Sequence, residues 1–289
     1  MNIKSGPPTF SVWLFVIVFA SASLLFFHFR FMSKEHYIFY DFMPKRINAF
    51  FSQNESGKKK VVVLGNSLAH CALPYKIQQE NISFDYFRIY HGGVSLKTFM
   101  PVLEDLIKYE PDYIVIQSDL FMYGFDKKEK KKDVIKYLLY SKAKAYNSIS
   151  FVRDNSDIDD ITVFQNQLVK IELPDHINNI LLASKLRPEI VSAFNSFLEK
   201  IKEKHIQIIL LDFPRSSAVE EKLNTYETIR ENNRFIEEVS KSSQVNHLSI
   251  IDNLPDSLYQ DHSHFNQMGR KIFTSAFVQQ MNLLVGGNQ

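Results

Sequence analysis

The sequence predicts an α/β protein. The expected architecture is a three-layer α/β/α sandwich around a mainly parallel five-stranded sheet, preceded by one N-terminal transmembrane helix. Three observations lead there. Short apolar runs alternate with helical patterns from residue 61 onward. The first run, Val61–Leu64, ends in Gly65-Asn66-Ser67, the punctuation of a strand entering a tight turn. Near the amino terminus, no Asp, Glu, Lys or Arg stands between Lys4 and Arg30.

Strands are expected at Val61–Leu64, Phe84–Tyr90, Tyr113–Gln117, Ile206–Asp212 and Leu248–Ile251, where apolar and β-branched residues cluster. Helices are expected at Lys97–Lys108, Pro188–Lys204 and Val219–Ser240. In Pro188–Lys204, the residues Ile190, Phe194, Phe197, Leu198 and Ile201 form one apolar stripe. A last helix follows His264, with Phe265, Met268, Ile272, Phe273, Ala276 and Phe277 at helical spacing. Strands alternating with helices imply a parallel sheet covered on both faces. Ligands then lie beyond the carboxyl ends of the strands, where Ser67 would stand. Residues 124–187 break the rhythm with the run Lys127-Lys128-Glu129-Lys130-Lys131-Lys132 and the aromatics Tyr137, Tyr140, Tyr146 and Phe151. They read as a solvated helical insertion, or as a cap or docking surface for anionic headgroups or glycan.

Two short segments carry the chemistry. Gly65-Asn66-Ser67 presents a serine at the end of a strand, and Asp261-His262-Ser263-His264 presents an Asp-x-x-His before the last helix. A serine hydroxyl is a weak nucleophile at neutral pH and needs an imidazole to take its proton. The imidazole needs a carboxylate on its other nitrogen to select the tautomer and stabilise the imidazolium. Ser67, Asp261 and His264 supply these three groups in the chain order Ser, Asp, His.

With these blocks the chain resembles the SGNH (GDSL-like) hydrolases, with their flavodoxin-like sheet, and especially a membrane-anchored branch related to envelope polysaccharide O-acetylation proteins. The family's first block is roughly Gly-Asp-Ser, here Gly65-Asn66-Ser67. Its last is Asp-x-x-His, often followed by Asn and Gly, here Asp261, His264, Asn266 and Gly269. The resemblance covers residues 61 to about 284 and implies a catalytic domain over 61–289; the residues before it read as an anchor at 1–32 and a juxtamembrane segment at 33–60. It implies an oxyanion hole with a backbone N–H from the segment Tyr90-His91-Gly92-Gly93-Val94-Ser95, with Gly93 as candidate and Leu96 as an alternative donor. The family's third block gives an Asn after a strand; here Tyr113–Gln117 runs into Ser118-Asp119-Leu120-Phe121, without Asn. Loss of one oxyanion donor costs about 10²–10³ in rate. Asn66, Gly93 and Arg215 are the candidate oxyanion or substrate-binding residues. Arg215, in Asp212-Phe213-Pro214-Arg215, is expected at the rim of the site, either binding an anionic substrate or in a surface ion pair.

Other readings of the same residues stay open. Asn66 or Ser67 can simply cap a helix, and Asp261 can do the same with His264 on the surface. Asp261, His262 and His264 include metal-ligand types, but no further cluster completes a site. His70 and His91 fit pocket-wall or core positions. Cys71, the only cysteine, fits a small buried hydrophobe and excludes an intrachain disulfide.

The 289 residues are 45% hydrophobic and 23% charged, with net charge +2, enough for one substantial core and without a global drive toward nucleic acid. Phe10–Phe29 is about long enough to cross ~30 Å of hydrocarbon. Ala20-Ser21-Ala22 resembles a cleavage site, but the apolar run continues through Leu24-Leu25-Phe26-Phe27, as in a retained anchor. Lys4 precedes the span, whereas Arg30, Lys34, Lys45 and Arg46 follow it. The positive-inside rule would put the domain in the cytoplasm; the resemblance implies the periplasm or cell exterior. The sequence thus leads to a membrane-anchored serine esterase or O-acyltransferase acting on acyl, foremost acetyl, esters of envelope glycans. It would need no cofactor or metal. A membrane-bound O-acyltransferase partner is implied by the resemblance alone. The alternative is a non-catalytic subunit of this fold in an envelope polysaccharide modification complex.

Overall fold

The computed structural model describes residues 9–31, 43–52, 57–77, 82–122, 171–252 and 254–286. Five parallel strands form one sheet in the order β2-β1-β3-β4-β5: β1 Lys59–Gly65, β2 Phe84–Tyr90, β3 Tyr113–Gln117, β4 Gln207–Leu211 and β5 Val245–Leu248. The order reverses between β1 and β3, which opens a crevice at their carboxyl ends.

The strand sequences explain the layers. Successive side chains point to opposite faces, so Val62, Leu64, Ile114, Ile116, Ile208 and Leu210 face one side, and Val61, Val63, Val115, Ile209 and Leu211 the other. Both faces are covered, which is why β1 and β3 read as continuous apolar runs. The first face packs on α4 (Leu96–Leu106), α6 (Pro188–Ile201) and α8 (Glu227–Val239). The second packs on α3 (Ser67–Ala72) and α9 (Gln267–Gly286), through Leu68, Ala69, Cys71, Phe273, Phe277 and Met281. A third, small cluster joins Met122 to α5 (Leu173–Ala183) and α7 (Ser217–Leu223) through Ile177, Ile180, Val219 and Leu223.

Two elements depart from the sequence expectation. The fifth strand lies at Val245–Leu248, not Leu248–Ile251. It is an edge strand with exposed Asn246 and His247, so its sequence lacks the apolar run that drew attention to Ile250 and Ile251. The single helix expected over Val219–Ser240 is two, α7 and α8. The chain leaves helical geometry at Tyr226, which is extended with φ −94° and ψ 135°, after Asn224 and Thr225, both poor helix formers.

Among the described residues, two amino-terminal helices precede the sheet. α1 covers Phe10–Phe31, with exposed Phe10, Trp13, Phe15, Phe19 and Leu24. Its side chains are described over Phe10–Leu24 only, and among the described residues no helix is long and apolar enough to cross a membrane. α2 (Met43–Ser52) packs on the domain: Ile47 is fully buried, Phe50 stacks on Phe87 and Phe51 on Tyr109, at 5.1 and 5.0 Å between ring centroids. Of the expected insertion at 124–187, residues 124–170 lie outside the described residues, including the lysine run and Tyr137, Tyr140, Tyr146 and Phe151.

At the carboxyl edge of the sheet, Asp212 joins two neighbours. It accepts a hydrogen bond from Ser118 Oγ on one oxygen, and its other oxygen lies 2.9 Å from His247 Nε2. The hydrogen bond to Asp212 raises the His247 pKa above its usual value of 6.5, against a smaller opposing effect of burial. A proton held more tightly in the folded state stabilises it fully below the unfolded pKa, and that contribution is lost as pH rises through the folded pKa. His247→Gln is therefore expected to destabilise the protein more at pH 5.5 than at pH 8.5. Urea denaturation of both proteins at the two pH values checks this; an equal loss at both would show that the pair adds no proton-linked stability.

Candidate active site

The serine turn follows from packing at β1 and β3. A Cβ at Gly65 would stand 2.2 Å from Ala69 Cβ and 2.9 Å from Gln117 Oε1, so no side chain fits there. Gln117 takes that space because it braces the turn: its Oε1 accepts from the Asn66 N–H at 2.8 Å, and its Nε2 donates to Asn66 Oδ1 at 2.9 Å. Asn66 Oδ1 also accepts from the Leu68 N–H at 3.0 Å, so Asn66 is the N-cap of α3. The amide of Asn66 is thus fixed and almost wholly buried, and Ser67 opens α3 at the mouth of the crevice.

The other half comes from a tight turn before α9. Tyr259 and Phe265 form an isolated antiparallel bridge, and the Gln260 N–H donates to the His264 carbonyl at 2.7 Å. His262, at the tip, has φ +69°. Asp261 Oδ1 accepts from the N–H groups of Ser263 (3.3 Å) and His264 (2.8 Å). The His264 ring lies over the carboxylate, its Nδ1 2.9 and 2.8 Å from the two oxygens, and its Nε2 is 2.9 Å from Ser67 Oγ. The structure therefore brings Ser67, His264 and Asp261 into one hydrogen-bonded line. Burial alone would raise the pKa of the Asp261 carboxyl, but the hydrogen bonds and charge of His264, with the two backbone N–H donors, outweigh it and hold it at about 2. Asp261 is a carboxylate throughout the neutral range.

α3 and α9 are joined directly. The carbonyls of His70 and Leu73 at the end of α3 accept from the buried guanidinium of Arg270, at 3.3 and 2.8 Å, and from Arg88 of β2. Thr274 Oγ1 donates to the Ala72 carbonyl at 3.1 Å. These bonds satisfy carbonyls left over at the helix end and fix the serine's helix against the helix that follows His264. Gly269 lets α9 approach the chain before the turn: a Cβ there would lie 2.3 Å from the Leu258 carbonyl oxygen.

Gly93 sits in the loop leaving β2, with φ +68°, a conformation that favours glycine. That loop runs beside the serine turn, since Tyr90 pairs with Gly65 and the His91 N–H donates to the Gly65 carbonyl at 3.1 Å. Arg215 differs from its expected exposed place. It is buried, its guanidinium bonded to Asp119 and within 3.8 Å of Glu220. It belongs to a network running Asn66–Gln117–Asp119–Arg215 behind the serine turn, not to the rim. His70 is fully buried and stacks on Tyr90 at 4.2 Å between centroids; Cys71 is buried too. Among the described residues, no group of three or more His, Cys, Asp or Glu side chains is arranged to hold a metal ion.

Gln117, which holds Asn66, and Ser263 and His176, whose side chains meet at 2.6 Å beside the Asp261–His264 turn, were not singled out from the sequence. Gln117 stood as the last residue of a strand. His176 falls within the insertion expected at 124–187, with no motif around it.

No protein-family model and no curated protein matches this chain. Eighteen solved chains are similar to it. They include a candidate acylhydrolase from Bacteroides fragilis at 15% identity, covering 83% of this chain and 94% of that one with a TM-score of 0.44. A GDSL-like lipase from Bacteroides thetaiotaomicron is also 15% identical, covering 83% and 97%, with a TM-score of 0.41. A family two carbohydrate esterase from Clostridium thermocellum, solved with cellohexaose, is 10% identical, covering 79% and 65%, with a TM-score of 0.38. At these identities and TM-scores, nothing about the activity of this chain follows from the likeness.

Proposed function

We propose that this protein is a membrane-anchored serine esterase or O-acyltransferase acting on acyl, foremost acetyl, esters of cell-envelope glycans. One observation carries the catalytic part: the line Ser67 Oγ, His264 Nε2, His264 Nδ1, Asp261 carboxylate, each contact within 2.9 Å. Nucleophile, base and orienting group are already at reacting distances.

In this reading Ser67 Oγ attacks the ester carbonyl carbon while His264 Nε2 takes its proton. The carbonyl oxygen becomes an oxyanion, held by the N–H groups of Ser67 and the Gly93 loop. Its collapse breaks the ester bond, and His264 gives the proton to the departing alcohol oxygen. An acyl-serine remains. A second hydroxyl compound then loses its proton to His264 and attacks the acyl carbon; the bond from that carbon to Ser67 Oγ breaks, and His264 returns the proton to Oγ. Water as acceptor makes the protein a deacetylase; a sugar hydroxyl makes it an O-acetyltransferase. A membrane-bound O-acyltransferase is the proposed source of acyl groups in the second case.

A fluorophosphonate probe tests the catalytic reading without knowledge of the substrate. The full chain is expected to label at Ser67, as located by peptide mass spectrometry. An unlabelled Ser67 in folded protein would favour a non-catalytic subunit. For location, a reporter active only outside the cytoplasm, fused after Gln289, is expected to be active; silence there, with a bright cytoplasmic reporter at the same position, would place the domain inside.

A further inference from the structure

The turn carrying Asp261 and His264 has one more side-chain tether. Ser263 lies between the two in sequence and points to α5, where its Oγ is 2.6 Å from His176 Nε2. Both residues are buried, at 5% and 8% exposure, so water does not compete for this bond. α5 is itself anchored by Ile177 and Ile180 against Val219 and Leu223 of α7. The turn is held on another side by the Ser216 N–H, which donates to the His262 carbonyl at 2.8 Å. His176 thus fixes a turn that is short, strained at His262 and responsible for the placement of the base.

We infer that His176 is a positioning residue for the Asp261–His264 pair, acting through its hydrogen bond to Ser263. This rests on the proposed roles of Ser67 and His264. The geometry explains why a histidine stands there. Ser263 can reach Nε2 only if the ring projects from α5 at this depth, and the ring must stay neutral so that no second cation opposes the imidazolium formed on His264. Its surroundings favour that: burial lowers the His176 pKa, the Asp261 carboxylate raises it, and His264, Arg215 and His262 lower it again, with a net decrease. The His262 ring lies tilted to it, at 6.0 Å between centroids.

Substitutions at His176 and Ser263 separate positioning from packing. The readout is the rate constant for fluorophosphonate labelling at Ser67, together with kcat and KM for p-nitrophenyl acetate. His176→Ala is expected to slow labelling about 10–100-fold, as a slightly misplaced base should, and to lower kcat with KM unchanged. His176→Gln puts a polar atom where Nε2 stood and is expected to recover most of the rate. His176→Asn mimics Nδ1 instead, and His176→Phe keeps the packing alone; neither is expected to recover it. Ser263→Ala should match His176→Ala, and the double variant should be no slower than either. Full activity in His176→Phe, or additive losses in the double variant, would overturn the inference while leaving Ser67 as the nucleophile. A wild-type protein that does not label would remove the parent reading and this one with it.

Discussion

Replacing Ser67 with alanine is expected to lower kcat for p-nitrophenyl acetate by about 10⁴-fold or more, the scale of loss when a member of such a triad is removed. The protein should keep its fold. Ser67 opens α3 half-exposed at the crevice. Asn66, not Ser67, caps that helix, and the buried contacts of α3 come from Leu68, Ala69, Cys71 and Ala72. The serine hydroxyl forms its hydrogen bond with His264 Nε2, at 2.9 Å. Removing one half-exposed hydroxyl should change stability by no more than about 0.5 kcal/mol. Steady-state kinetics with matched thermal denaturation curves check both halves. A folded variant keeping more than about a tenth of the wild-type kcat would end the case for Ser67.

The largest effect on stability is expected behind the site. Asp119→Ala should cost roughly 3 kcal/mol, the lower end of the cost of stripping a buried charge of its partner. The Arg215 and Asp119 side chains are only 8% and 11% exposed, so the guanidinium cannot recover its hydration when the carboxylate goes. Glu220 offers partial relief at 3.8 Å, which is why the lower end applies. Gln117 Nε2 would also lose an acceptor. The Gln117–Asn66 pair sets the serine turn, so activity should fall along with stability. Urea midpoints at unchanged m-value measure the loss. A loss below about 1 kcal/mol would mean that water reaches the pair.

The legible parts of this protein are those where one residue type has one local job. β2 and β3 fall where their apolar runs predict, Phe84–Tyr90 and Tyr113–Gln117. Ser67, Asp261 and His264 stand in two short segments singled out from the sequence, and the structure brings their side chains into contact. Residues whose job depends on a partner far along the chain were not legible. Arg215 reads as a surface cation until Asp119, 96 residues away, is seen beside it. Gln117 reads as a strand end until it is seen to clasp Asn66, and His176 reads as part of an insertion until Ser263 lies against it. α2 was missed for a related reason. Its residues, MPKRINAFFS, show little net hydropathy, and Ile47, Phe50 and Phe51 make sense only against Phe87 and Tyr109. In each case a tertiary contact, not local periodicity, decides the role.

The junction of α3 with α9 has a consequence for the order of events during synthesis. The chain emerges amino terminus first, so Ser67 exists 197 residues before His264 does. Every strand of the sheet is made before α9. Until α9 docks, the carbonyls of His70 and Leu73 lack Arg270, and the serine has no base within reach. A nascent chain, or one clipped before residue 261, would carry Ser67 without its hydrogen-bond partner His264. In the proposed reading, completion of the fold is then itself the step that activates the serine.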